Sequence, residues 1–321
     1  MGGDTRMSRM PGRARAAFLR ACALDVLVRK PGNVSVRSAA HGMDAALFLA
    51  SAEAAAGPLF EAGARVGPRI EAAVQATWAV AGCNTNLGIL LLCAPVAVAL
   101  ERFPEAADAL AVRAALVEVL ADLDRADAAA AYRAIARANP GGLGHAAEQD
   151  VHDEPAVDLR SAMALAAGRD SIAAQYRDGY ALVFDTVLPA LGSAFDAAPG
   201  AAHDLLPDAL PDVPPDDPPS MPAPGTVASV QRAYLTLLAT VADSHIARKR
   251  GPAAATAVML QARAWRDRAL AGASLDTDPA FHAWDAALKA DGLNPGTSAD
   301  LLVAGMMLAQ MVPSVPKRDA V

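Results

Sequence analysis

The sequence predicts an all-α protein, and three observations carry that prediction. Period-2 alternation of β-branched residues is nearly absent, alanine-rich segments repeat apolar positions at helical spacing, and glycines and prolines punctuate the ends of those segments. The 321 residues are 54% hydrophobic but only 4% aromatic, so the core has to be built from alanine, leucine and valine rather than rings. The expected organisation is a single globular multi-helix domain over 13–312, with a flexible N-terminus (1–12) and a C-terminal tail (313–321).

The first helix is expected over 13–29, stopped by Pro31-Gly32. Its flank carries Arg6, Arg9, Arg13 and Arg15 and imitates a targeting peptide, but Arg20 and Asp25 interrupt the apolar run that such a signal needs. A second helix, 44–56, begins at Asp44, a suitable N-cap. The third, 68–81, has Pro68 in its first turn and ends at Gly82. The fourth, 86–101, contains the strongest apolar run, Ile89 to Leu100, only 12 residues long and interrupted by Pro95. A membrane span needs ~20, so this is read as a buried core helix. Helices follow over 105–123, 127–138, 158–167 and 170–195. Between 199 and 225 proline and aspartate dominate, a composition read as an exposed insertion loop. Helices resume over 226–249, 253–271 (stopped by Gly272), 279–290 and 298–311, where Thr297 with Asp300 three residues on resembles a capping box.

Charge and cysteine usage narrow the function classes. A net charge of −7 disfavours nucleic acid or an anionic membrane as partner. Cys22, Cys83 and Cys93 form no CxxC pair and are read as buried thiols of a cytoplasmic protein, not a disulfide framework or a thiolate zinc site. No P-loop, HExxH or GxSxG stretch is present, which argues against ordinary NTPase, zinc-hydrolase and α/β-hydrolase chemistry.

Four polar clusters at helix junctions exceed what an alanine-rich bundle requires. Lys30-Pro31-Gly32-Asn33, followed by His41-Gly42-Met43-Asp44, is either a plain helix-loop-helix turn or a turn that keeps one of only four lysines for phosphate. In Gly82-Cys83-Asn84-Thr85-Asn86-Leu87-Gly88, three polar side chains stand between apolar helices. They cap the next helix or face a ligand; capping uses one such residue and gives no reason for three. Pro140-Gly141-Gly142-Leu143-Gly144-His145 leads into Glu148, Asp150, His152, Asp153 and Glu154, read as a solvated acidic loop or as hard oxygen ligands for Mg²⁺. Its superficial match to a dinucleotide fingerprint fails because no strand precedes it. The fourth cluster joins Asp243-Ser244-His245, Arg248, Lys249 and Arg250 to Asn294-Pro295-Gly296-Thr297-Ser298. There the basic residues either complement a helix dipole or hold phosphates, with Asp243 as metal ligand or general base.

Together these stretches resemble the triphosphoribosyl-dephospho-CoA synthase family. The matching pieces are Lys30-Pro31-Gly32-Asn33-Val34, His41-Gly42-Met43-Asp44, Asn84-Thr85-Asn86-Leu87-Gly88, Asp243-Ser244-His245 and Leu293-Asn294-Pro295-Gly296-Thr297-Ser298-Ala299-Asp300. Asn86-Leu87 and Ser244-His245 depart from the citrate-lyase type, and together with Pro140-Gly141-Gly142-Leu143-Gly144 and Glu148-Gln149-Asp150-Val151 they make the pattern resemble more closely the branch of archaea and one-carbon-metabolising bacteria. The resemblance implies an all-α, cytoplasmic transferase that joins the ribose 2′-hydroxyl of dephospho-CoA to the ribose C1 of ATP and expels adenine. It implies ATP as substrate and Mg²⁺ as cofactor, with small-molecule nucleotides as partners, no nucleic acid and no membrane; a homodimer is compatible with it. It further implies that Lys30, Gly32, Asn33, Asn84, Thr85, Asn86, His245, Arg248, Lys249, Asn294, Gly296 and Ser298 hold substrate. Asp44, Glu148, Asp150 and Asp243 would bind the metal, and His41, Asp44 and Asp243 would serve catalysis, so that Asp243→Asn is expected to abolish turnover with the fold intact. The alternatives are transfer to another phosphorylated substrate in methanopterin- or methanofuran-type carrier biosynthesis, or nucleotide binding without catalysis.

Overall fold

Asp residues set most of the helix starts. Asp44, Asp108, Asp124, Asp158, Asp170, Asp243 and Asp278 each accept a backbone N–H of the helix that follows, satisfying donors that the helix itself leaves unpaired. The computed structural model describes residues 10–38, 43–146, 148–192, 195 and 221–312. Within them lie fourteen α-helices, one π-helical turn and no strand. Residues 39–42, most of the stretch expected to be an insertion loop and the tail lie outside the described residues; of the 199–225 segment, Pro224 and Gly225 already belong to a helix.

The helices are α1 (Met10–Leu27), α2 (Ala45–Leu59), α3 (Val66–Ala81), α4 (Leu87–Arg102), α5 (Ala109–Ala121), α6 (Arg125–Ala138), α7 (Leu159–Ala166) and α8 (Ser171–Asp178). A π-turn (Val183–Val187) and α9 (Leu188–Leu191) follow, then α10 (Pro224–Thr240), α11 (Ser244–Arg250), α12 (Pro252–Leu270), α13 (Pro279–Ala290) and α14 (Gly296–Met311). No described helix is long and apolar enough to cross a membrane.

The core is centred on α4, in which every residue from Leu87 to Leu100 is buried. It is surrounded by α1, α2, α3, α5, α6, α8 and α14. Pro95 inside this buried helix has no N–H for the Leu91 carbonyl, and the Tyr176 hydroxyl donates to that carbonyl instead at 2.6 Å. The neighbouring Tyr180 hydroxyl donates to Leu92 O at 2.8 Å.

Two expected helices are divided. The 170–195 segment breaks where Gly179 and Tyr180 both take left-handed backbone, at φ 60° and 59°, which turns the Tyr180 ring toward α4. The 226–249 segment breaks at extended Val241, and Asp243 caps a new helix. The capping box expected at Thr297 does not form: α14 starts at Gly296 without a side-chain cap, Thr297 bonds Ser244, and Asp300 turns to a cavity. Of the cysteines, Cys22 and Cys93 are buried and Cys83 is half-buried.

Candidate active site

The helix junctions that carry the polar clusters meet at one cavity of about 1360 Å³. Its floor is formed where α1, the start of α4 and the start of α14 approach one another. The 84–86 turn divides its labour there. Asn84 Oδ1 accepts the Leu87 N–H at 3.1 Å and so caps α4, whereas Thr85 Oγ1 and both amide atoms of Asn86 are buried without a hydrogen-bond partner. Buried polar groups are nearly always paired, so two orphans beside a cavity signal a missing ligand. Thr85 lines the cavity; Asn86 lies just behind it.

Two carboxylates face the same floor. Asp25, on α1, is 4% exposed, and its Oδ1 has no hydrogen bond although the Lys30 ammonium lies 3.1 Å away. Burial raises its pKa, partly offset by Lys30. Asp300, on α14, makes no hydrogen bond among the described residues. Its pKa is pushed well up by burial and by the charges of Asp25, Asp243 and Asp170, against the pull of Arg248. Gly88 permits this approach, because a Cβ there would lie 2.1 Å from Asp300 Oδ2.

One wall is the 30–33 turn. Lys30 is fully buried and does not reach the cavity; its ammonium bonds Asp25 O and, at 3.0 Å, Asn33 Oδ1. Asn33 in turn donates to Asn294 Oδ1 at 3.0 Å, and both asparagines line the cavity. Lysine thus orients an amide pair from behind. Gly32 is buried as well: its N–H donates to Asp285 at 2.9 Å, and at φ 82° a Cβ would meet Leu293 O at 2.5 Å.

The opposite wall is α11. Asp243 is 1% exposed and accepts four hydrogen bonds: from the N–H groups of His245 and Ile246 on one oxygen, and from the N–H and hydroxyl of Ser298 on the other. Burial raises its pKa while these bonds pull it down. With four donors filling its oxygens, Asp243 is a latch between the starts of α11 and α14, and neither it nor Ser298 lines the cavity. Asp44 likewise caps α2 on the exposed surface. His41 lies outside the described residues.

His245, Arg248, Lys249 and Gly296 do line the cavity. Arg248 donates to Gly141 O at 3.2 Å and to Asp170 at 3.1 Å, tying the glycine-rich loop to α8. Lys249 packs against Gly141, where a Cβ would meet its Cε at 2.6 Å, and forms no ion pair among the described residues. The rim is completed by Glu148 and Asp150. Asp150 pairs with the imidazoles of His152 and His145 rather than with Glu148.

The cavity therefore collects Asn33, Asn84, Thr85, Asn294 and Gly296, together with His245, Arg248, Lys249, Glu148 and Asp150, from the expected site. Lys30, Gly32, Asn86, Asp243 and Ser298 stand behind its surface. Asp25, Asp170 and Asp300 were not expected there. The signal for Asp25 was a lone acid in an apolar helical stretch; for Asp300 it was an acid inside the Asn-Pro-Gly-Thr-Ser segment, open to a capping explanation.

The sequence model of the CitG family, ATP:dephospho-CoA triphosphoribosyl transferase, matches residues 11–210 and 222–318. Among solved structures, a crystal structure described as a candidate triphosphoribosyl-dephospho-CoA synthase from Archaeoglobus fulgidus superposes with a TM-score of 0.56 at 20% identity. The match covers 82% of this chain and 98% of that one, and it shows a shared fold. No curated protein sequence matches the chain.

Proposed function

Because the chain belongs to the ATP:dephospho-CoA triphosphoribosyl transferase family, we propose that its cavity joins the 2′-hydroxyl of dephospho-CoA to ribose C1 of ATP with release of adenine. The observation that carries this reading is the convergence of the 30–33 turn, the 84–88 turn, the glycine-rich loop, α11 and the start of α14 on one hollow. At about 1360 Å³ it exceeds the ~300–1,000 Å³ of a usual single-ligand pocket, as two nucleotide substrates require.

The chemistry distributes over the walls. Lys249, Arg248 and the glycine-rich loop hold the triphosphate; Lys249, like Arg169 on the same lining, pairs with no carboxylate among the described residues. The Asn33–Asn294 pair, fixed by buried Lys30, supplies donors and acceptors for a base or ribose edge. His245 is the general acid for the departing adenine, worth about 10²–10⁴ in rate. Thr85, whose buried Oγ1 is unpaired, lines the floor with Asp300 and with Asp25, which already faces the Lys30 ammonium at 3.1 Å; hard oxygens of this kind would suit Mg²⁺. When bound there, the ion neutralises polyphosphate charge.

The test is to incubate the protein with ATP, Mg²⁺ and dephospho-CoA and to follow nucleobases by chromatography. Adenine should appear only when both nucleotides are present. Pyrophosphate release without adenine overturns the assignment.

A further inference from the structure

The rim loop contains ligating groups that the transfer reaction does not use. We propose that His145, Asp150 and His152 form a binding site for a divalent transition-metal ion of the Zn²⁺/Co²⁺ class. It is distinct from the Mg²⁺ position proposed on the cavity floor and independent of the reaction proposed above. One ligand atom from each residue lies within 4.8 Å of the others. Asp150 Oδ1 is 2.7 Å from His152 Nδ1, and Oδ2 is 3.4 Å from His145 Nδ1. Metal bonds of ~2.0–2.2 Å to nitrogen and oxygen place neighbouring ligand atoms roughly 3–3.5 Å apart, so the three groups need only small side-chain rotations to share an ion.

The carboxylate is prepared for this. The Asp150 side chain is only 8% exposed, and each of its oxygens takes one backbone N–H, from His152 at 2.9 Å and Ala146 at 2.7 Å. The remaining lone pair of Oδ1 meets His152 Nδ1 at 2.7 Å, a contact an ion would replace, and the two backbone bonds fix the carboxylate in place before the ion arrives. The imidazoles, 85% and 51% exposed, sit above it with ring centroids 5.4 Å apart. Two imidazoles and one carboxylate suit borderline ions, whereas Mg²⁺ favours oxygen donors alone. Three protein ligands leave at least one coordination position for water or substrate. An ion here would link His145 to Asp150 and His152 at the cavity's edge.

Tag-free protein stripped with chelator should take up one equivalent of Co²⁺ with visible d–d absorption, and excess Mg²⁺ should not remove it. His145→Ala/His152→Ala, both at exposed positions and therefore expected to retain the helical circular dichroism, should weaken Co²⁺ binding by about 100-fold or more. His152→Ala alone provides the same comparison with a single change. Absence of the bands in the unsubstituted protein, or bands that persist with unchanged affinity in the double variant, overturns the site. Adenine release is scored separately, so failure here leaves the transferase assignment standing.

Discussion

Asp300 illustrates how a site residue differs from a structural one. Burial and three neighbouring acids raise its carboxyl well above the ordinary range. A carboxyl raised on folding contributes stability below its unfolded pKa, and that contribution is lost as pH rises through the folded value. The ionised side chain is thus a cost to the fold that Asn does not incur. Asp300→Asn should keep or raise Tm, by roughly 2 °C for each kcal/mol relieved, with the gain largest toward alkaline pH. It should also lower adenine release by about 100- to 1000-fold. Reduced Tm with unchanged turnover would make Asp300 a packing residue. At this scale the sequence was readable where polarity was out of place: Asn33, Asn84, His245 and Asn294 all reach the cavity. It was not readable for Asp243 or Lys30, because spacing identifies a charged residue at a junction but not whether neighbouring donors and acceptors have already filled it.

At the level of helices, Asp243 and Pro95 carry the consequences. Asn at position 243 offers one acceptor oxygen where the carboxylate serves four donors, leaving at least the Ser298 N–H unpaired in a buried place. The expected effect of Asp243→Asn is therefore a loss of about 1–3 kcal/mol in urea unfolding, not a dead enzyme of unchanged stability. Unfolding midpoints equal to the parent would contradict the latch. Tyr176→Phe should cost a similar ~1–3 kcal/mol by orphaning the Leu91 carbonyl, and much less in a Pro95→Ala background, where the helix regains its own donor. Equal costs in both backgrounds would refute the pairing. Helix limits were largely legible because caps are local chemistry: Asp44 starts α2 and Gly82 ends α3, as spacing and composition indicate. The breaks near Tyr180 and Val241 were not, since the first depends on a hydroxyl reaching Leu92 across the core and the second interrupts continuous apolar spacing.

Across the whole molecule, the cavity is assembled from α1, the 84–86 turn, the glycine-rich loop, α11 and the start of α14. Binding to a hollow of this kind must be felt by all its walls. At 100 times Kd, Mg-ATP should stabilise the fold by about 2.7 kcal/mol. Amide exchange should slow together around Asn33, Asn84, His245 and Asn294; slowing confined to one of them would mean that they do not share a ligand. The amines of the protein follow from the same layout. Lys30 is sealed against Asp25 and Asn33, and Lys289 is bound to Asp285, so Lys249 is the described lysine with an ammonium group open to reagents. An acylating nucleotide analogue should become covalently attached at Lys249, with natural ATP protecting it, and peptide mapping would then mark where the nucleotide lies before any liganded crystal exists.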